Sequence, residues 1–391
     1  MASRTFESIN QKIKSGQVAV LTAEEVVDLV KDQGIDAAYD QVDVVTTATF
    51  GPMCSSGAFL NFGHSNPPIR MEEISLNHVP VSGGLAAVDT YVGATQESTD
   101  RGLDYGGAHL IVDLVKGKSV KLRAKGKGTD CYPLKEVERN ISLEDLNEAY
   151  MYNPRNCYQN YAAAANTSDR VLHTYMGTLP AHTNLVTYST SGCLSPLLND
   201  PYYRTIGIGT RIFIGGAQGY VAWRGTQFNS GGPRDENGIP HGIGATLALV
   251  GDLKQMDPDY LAPASYKGYG TSLFVGVGIP IPIIDKDMLK QVALDNDQLF
   301  TNVLDYSVSE GKRPVLARVS YQDLQSGSIE LEGRRVKTAP LSSLKKARHI
   351  ADKLKEAIQT GQFYLSQPLE LFDHQSGVKG LKKEDLCGQN S

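Results

Sequence analysis

The chain has 391 residues, of which 41% are hydrophobic and 21% charged, and a formal net charge of −5. That balance belongs to a globular protein able to bury a large core. It carries no basic footprint of a nucleic-acid binder and no apolar run long enough to cross a bilayer as a helix.

In chain order, Phe6 to Lys14 has a helical pattern. Thr22-Ala23-Glu24-Glu25 then reads as the N-cap and first turn of a helix running to about Gln33, with Gly34 as its stop. The β-branched run Val42 to Phe50 follows as a strand that breaks at Gly51-Pro52. His109 to Val115 and Ser119 to Ala124 read as two strands of a hairpin turning at Lys116-Gly117-Lys118. Ser142-Leu143-Glu144-Asp145 starts a short helix by a capping-box pattern. Ile206 to Ile214, Gly219 to Trp223, Thr246 to Val250, Ser272 to Val277 and the Pro280/Pro282 stretch continue as strands. Val315 to Tyr321 and Ser328 to Val336, turning at Gly333, follow. Ser342 caps an amphipathic helix from Leu344 to Thr360, with Gly361 as its stop.

The expected fold is one glycine-rich mixed-sheet domain of the α/β or α+β class over residues 1–372. Its two-lobed variant divides around residues 195–205, and residues 373–391 form a loose polar tail. The N-terminus, Met1-Ala2-Ser3-Arg4-Thr5-Phe6-Glu7, lacks the apolar core of a signal peptide. Five cysteines without paired spacing argue against a secreted disulfide framework and for the reducing cytoplasm.

Two glycine pairs suggest a dinucleotide loop and fail as one. Gly207-Ile208-Gly209 has Ile212 where the third glycine belongs, and Gly276-Val277-Gly278 runs into Ile279-Pro280-Ile281-Pro282, which cannot open a helix. Structural turns are the expectation for both. No phosphate-binding loop, helical histidine pair or nucleophile elbow is present.

The cysteines carry the chemistry that remains. A free cysteine is by default a small buried apolar residue. Cys54, before Ser55-Ser56-Gly57, and Cys131, in Gly128-Thr129-Asp130-Cys131-Tyr132-Pro133, sit instead on glycine-rich turns. Backbone N–H groups around Gly51 and Ser55 to Gly57 form an anion nest in this reading. Lys121, Arg123, Lys125 and Lys127 supply positive potential to Cys131. Cys193, in Ser191-Gly192-Cys193-Leu194, ranks below these two; Cys157 reads as buried and Cys387 as incidental.

The segments Thr47 to Gly57 and Gly128 to Pro133 resemble the homocysteine-biosynthesis family of methanogens and other anaerobes. The likeness extends through Gly106-Gly107-Ala108-His109-Leu110, Arg211 to Ala217 and Gly242 to Leu247, covering residues 1 to about 370. The resemblance implies an L-aspartate-semialdehyde sulfurtransferase making homocysteine, with Cys54 and Cys131 as its catalytic residues. It implies a persulfide on Cys131, attack of its terminal sulfur on the aldehyde, a disulfide with Cys54, and a thioaldehyde reduced from outside. The roles of the two cysteines are exchangeable.

Partners implied are aspartate semialdehyde, a sulfide or persulfide donor, and a ferredoxin-like electron donor, with a homo-oligomer expected and neither nucleic acid nor membrane involved. Relatives append CBS modules or pair with a ferredoxin-like protein; neither module is expected in this chain. An iron–sulfur cluster, here or in the partner, is the open cofactor alternative, with Cys193 as a further ligand. Arg211 and Arg224 are candidates for the substrate carboxylate, His64 and His109 for proton donation, and Asp130 for the ammonium or for an Asx turn. A persulfide or sulfide carrier handing sulfur to a partner is the competing function.

Overall fold

The computed structural model describes residues 4–309 and 313–381. Cys387 and residues 382–391 of the polar tail lie outside the described residues.

The chain opens with helix Phe6–Ser15, whose cap Thr5 exchanges hydrogen bonds with Ser8. Strand Val20–Thr22 leads into helix Ala23–Tyr39, where Thr22 and Glu25 cap each other and so satisfy two N-terminal donors. Gly34 takes φ 77° and ψ 165°, so it kinks the helix rather than ending it. Strand Val44–Met53 then returns parallel to Val20–Thr22, completing a β-α-β unit.

That strand is the spine of a fourteen-stranded mixed sheet. From one edge the order is Val20–Thr22, Val44–Met53, Gly270–Pro282, Arg211–Ile214, Ala217–Arg224, Leu247–Asp252 and Glu148–Asn156. It continues through Gly57–Asn61, Asp89–Gly93, Val79–Ser82, Glu73–Leu76, Val120–Lys125 and Glu136–Ile141, while Leu261–Tyr266 pairs separately with Gly270–Pro282. Val44–Met53 does not break at Gly51-Pro52: pairing with Gly270–Pro282 runs unbroken from Val44↔Pro282 to Met53↔Leu273. Only one edge of the strand is paired at that end, which is where a proline is tolerated.

The expected strand over His109 to Val115 is a helix, Gly107–Val115. Its run is apolar on nearly every face, with Ala108, Leu110, Ile111, Val112 and Leu114 all buried. Such a run has no period to separate helix from strand. The helix packs against Leu261–Tyr266 and Gly270–Pro282 on one side and Gly57–Asn61 and Asp89–Gly93 on the other.

A second, six-stranded sheet runs Val315–Ser320, Phe300–Asp305, Ala163–Ala165, Leu185–Tyr188, Arg334–Pro340, Ser328–Leu331. The chain visits it twice, over 163–188 and over 300–340, returning to the large sheet between. Residues 195–205 are therefore no linker; Leu197, Leu198, Asn199 and Asp200 there are all buried.

Helix Leu344–Gln359 closes the structure, capped by Ser343 rather than by Ser342. It lies on the Val44–Met53 and Gly270–Pro282 strands, and the Gly276-Val277-Gly278 pattern is its seat. A Cβ on Gly276 would stand 2.8 Å from Ile350 Cδ1, and one on Gly278 would stand 3.1 Å from Ile350 Cγ2. The pair is therefore not the expected turn: it lies within the Gly270–Pro282 strand, where the glycines allow close helix-to-sheet approach.

Candidate active site around Cys54

Cys54 follows directly from the Val44–Met53 strand, in a tight turn closed by Ser56 N–H donating to Met53 O at 3.0 Å. The turn is tied down from both sides. Asn153 Nδ2 donates to Ser56 Oγ at 2.8 Å, both residues buried, and Ala94 N–H donates to Ser56 O at 2.8 Å. Ser55 Oγ donates to Arg155 O at 3.2 Å. The Ser56 N–H is consumed by the turn, so it is not a free member of the expected anion nest.

The half-buried thiol faces a cavity of about 50 Å³ between the two sheets. At about 10–15 Å³ per water that is room for a handful of atoms, the reacting end of a small molecule. Five tyrosines line it: Tyr158, Tyr161, Tyr175, Tyr266 and Tyr269. Ser272 also lines it, and its buried Oγ has no protein hydrogen-bond partner. A buried hydroxyl left unpaired is costly unless something else binds it.

The segment that presents Tyr158 and Tyr161 is held in unusual backbone geometry. Cys157 and Asn160 take φ of 49° and 52°, in the left-handed region that non-glycine residues adopt at a cost of about 1–2 kcal/mol. A buried polar network fixes it. Cys157 N–H donates to Asn156 Oδ1; Tyr203 Oη donates to Gln159 Oε1 at 2.7 Å; Tyr321 Oη donates to Asn160 Oδ1 at 2.8 Å. Strain maintained this way at a cavity wall is a mark of a functional site.

The phenols differ electrostatically. Burial pushes Tyr158 and Tyr266 up to about 12. Burial raises Tyr161 and Tyr306 further, and Tyr269 is raised by burial and by its hydrogen bond to Cys54. Tyr175 goes the other way. Burial alone would raise it, but hydrogen bonds from Tyr161, Tyr306 and Arg313 outweigh burial and hold its phenol below the ordinary value.

Cys131 does not line this cavity. It is exposed at the tip of the hairpin formed by Val120–Lys125 and Glu136–Ile141, which Gly126 N–H extends by donating to Lys135 O at 2.8 Å. Phe59, Tyr91, Ser82, Glu73 and Lys125 stand level across neighbouring strands. Cys54 precedes the Gly57 end of its strand, whereas the hairpin tip rises beyond the Asn61 end. At about 3.3 Å per residue that strand alone separates the two ends by about 13 Å, and the hairpin curls back so that Tyr132 stacks on His64, three residues beyond its Asn61 end. The Cys131 turn thus lies off the far end of the strand that begins beside Cys54, outside the tyrosine-lined cavity.

The basic side chains read for Cys131 are each engaged by a carboxylate, which leaves one positive charge over the four pairs. Lys121 and Arg123 both pair with Glu138, Lys125 with Glu136 and Lys127 with Glu72. The turn itself is closed by Thr129, whose backbone and Oγ1 bind Tyr132 N–H at 3.1 Å. Asp130 is exposed beside it and makes no Asx turn there.

The other candidates fall elsewhere. His64 is exposed and stacks on Tyr132 with ring centroids 6.2 Å apart, so it sits near Cys131 and outside the Cys54 cavity. His109 accepts Gly106 N–H on Nδ1 at 3.2 Å, capping its own helix, and burial lowers its proton affinity. Arg211 donates to Tyr364 O at 3.2 Å, does not line the Cys54 cavity, and has a buried Nε without a hydrogen-bond partner. Arg224 binds Ser376 Oγ at 3.1 Å in a surface groove.

Cys193 is buried, with its thiol pushed up to about 12 by burial and its Sγ accepting from Asn296 Nδ2 at 3.3 Å. Cys157 is buried as expected, and burial raises its thiol strongly. Among the described residues no group of three or more His, Cys, Asp or Glu side chains is placed to hold a metal. No helix among the described residues is long and apolar enough to cross a membrane.

The tyrosine wall escaped the sequence reading. Its members come from three stretches of chain, and the one local signal was the crowding of Tyr158, Tyr161 and Tyr175 among the 19 tyrosines of the chain.

Residues 18–365 match the model of a family described as homocysteine biosynthesis enzyme, sulfur-incorporation. The L-aspartate semialdehyde sulfurtransferase of Methanosarcina acetivorans is 50% identical over 98% of this chain and 75% of its own length. The protein of that name from Methanocaldococcus jannaschii is 47% identical over 95% of this chain and 73% of its own length. An uncharacterised protein of Methanothermobacter thermautotrophicus is 30% identical over 83% of this chain and 73% of its own length. No solved structure matches the chain.

Proposed function

The chain belongs to the sulfur-incorporating homocysteine-biosynthesis enzyme family, and on that premise we propose that it is an L-aspartate semialdehyde sulfurtransferase whose bond-forming step takes place beside Cys54. The observation that carries the reading is the Cys54 thiol held by a braced turn against a small tyrosine-walled cavity. Phenols and the unpaired Ser272 hydroxyl suit an electrophile that gains negative charge on oxygen as it is attacked.

In this proposal the exposed Cys131 collects sulfur as a persulfide. Its terminal sulfur attacks the aldehyde carbon, and the carbonyl oxygen becomes a hydroxyl. Cys54 thiolate then attacks the inner sulfur, forming a disulfide and releasing the substrate as a hydroxythiol. Loss of water gives the thioaldehyde, which an external ferredoxin-like donor reduces with two electrons and two protons. Hydrosulfide reopens the disulfide, leaving one persulfide and one thiol, so no further electrons are consumed.

A disulfide needs Cα atoms within about 7 Å, far less than the separation along one chain. The hairpin is held by its ladder and by the His64–Tyr132 stack. Cys131 is therefore proposed to serve the Cys54 cavity of a second copy, which makes the working unit an oligomer. This replaces the expected disulfide within one chain.

Incubation with sulfide, a low-potential reductant and aspartate semialdehyde tests the function. Multiple turnovers of homocysteine per chain are expected. Persulfide in stoichiometric amount without homocysteine would identify a sulfur carrier instead.

A further inference from the structure

Tyr175 stands out among the phenols of the Cys54 cavity because hydrogen-bond donors converge on its oxygen. Tyr306 Oη donates to Tyr175 Oη at 3.3 Å, and Arg313 Nη1 donates to it at 3.4 Å. A neutral phenol oxygen carries its own proton and two lone pairs. The two donors, one of them cationic, take up both lone pairs and stabilise the charge left on the oxygen when that proton leaves.

The arrangement behind Tyr175 is charged and enclosed. The Arg313 guanidinium lies 3.9 Å from the centre of the Tyr306 ring, a cation–π contact that fixes its plane. Its Nε is buried without a hydrogen-bond partner. Neither Arg313 nor Tyr306 lines the cavity, so they act on its contents through Tyr175, which does.

We propose that Tyr175 is the proton donor of the Cys54 cavity, with Arg313 and Tyr306 as its positioning residues. This rests on the sulfur-transfer reading of the same cavity. As the sulfur nucleophile bonds to the aldehyde carbon, the carbonyl π pair moves onto oxygen, which takes the Tyr175 phenol proton. The products are a neutral hydroxyl on the substrate and a phenolate held by Tyr306 and Arg313. Water reprotonates the phenolate before the next cycle, and no electrons are exchanged with the protein. The lowered proton affinity of Tyr175, against raised values for its five tyrosine neighbours, accords with this division of labour.

The test is homocysteine formation across pH by Tyr175→Phe, Tyr306→Phe and Arg313→Gln, with the alkylation rate of Cys54 measured in parallel. Tyr175→Phe is expected to lower kcat by about 10²–10⁴-fold, the usual scale of general acid catalysis, and to abolish the alkaline limb while Cys54 alkylates at the wild-type rate. Tyr306→Phe and Arg313→Gln each remove one donor without altering the cavity wall, and are expected to move the alkaline limb to higher pH. Wild-type kcat in Tyr175→Phe overturns the proposal, as does an alkaline limb unmoved in both donor variants. Activity surviving Cys54→Ala would instead overturn the underlying sulfur-transfer reading, so the two failures are distinguishable.

Discussion

Asn153 donates its side-chain N–H to Ser56 Oγ at 2.8 Å, joining two fully buried side chains from strands far apart in sequence. The bond fixes the turn that carries Cys54 to the strand leading into the tyrosine segment. Asn153→Ala leaves a buried hydroxyl unpaired, so a loss of about 1–3 kcal/mol in unfolding free energy is expected. Denaturant titration measures it. A stability equal to wild type would show that the turn is held by its backbone bonds alone.

Native-state alkylation separates the cysteines by accessibility. Cys131 is exposed and Cys54 half-buried against a cavity, whereas Cys157 and Cys193 are buried. Peptide mapping after iodoacetamide treatment is expected to find Cys131 modified fastest and Cys54 next. Cys157 and Cys193 should react only after denaturation. Rapid native labelling of Cys193 would contradict the packing described.

The position of Cys131 makes a stoichiometric prediction. Cys54→Ala and Cys131→Ala should each be inactive alone. Equal amounts of the two, unfolded and refolded together, should regain about a quarter of wild-type activity, because half of randomly formed dimers are mixed and each restores one complete site of two. No recovery from a properly mixed oligomer would place sulfur transfer within one chain and require the hairpin to leave its sheet.

Alkaline stability follows from the buried thiols. Burial raises Cys193 from 9.0 to about 12 and raises Cys157 further. The folded state thus keeps protons that the unfolded chain loses above about pH 9. Their contribution is complete below that pH and is lost as pH rises through the folded value. Each group removes about 1.4 kcal/mol per pH unit across that window. Melting temperatures between pH 8 and 11 should fall, and Cys193→Ala should flatten the decline.

Much of the fold was legible where a local device determines it. The Thr22–Glu25 cap, the Gly215-Gly216 turn between strands and the long amphipathic helix Leu344–Gln359 all declare themselves within a few residues. The Gly107–Val115 helix did not, because an element buried on every side carries no amphipathic period. Cys54 was readable as a thiol on a glycine-rich turn. Its tyrosine wall was not, since the Tyr158/Tyr161, Tyr175 and Tyr266/Tyr269 stretches meet beside Cys54 only in the folded chain. The basic stretch before Cys131 misled for the opposite reason: its carboxylate partners on the neighbouring strands are invisible in a local reading.

The most direct measurement is homocysteine formation from aspartate semialdehyde and sulfide by Cys54→Ser, a near-isosteric change in a site whose turn is otherwise untouched. With circular dichroism and melting temperature unchanged, the account predicts no detectable turnover. Turnover at the wild-type rate would contradict it, because sulfur would then reach the aldehyde without the thiol in the tyrosine cavity.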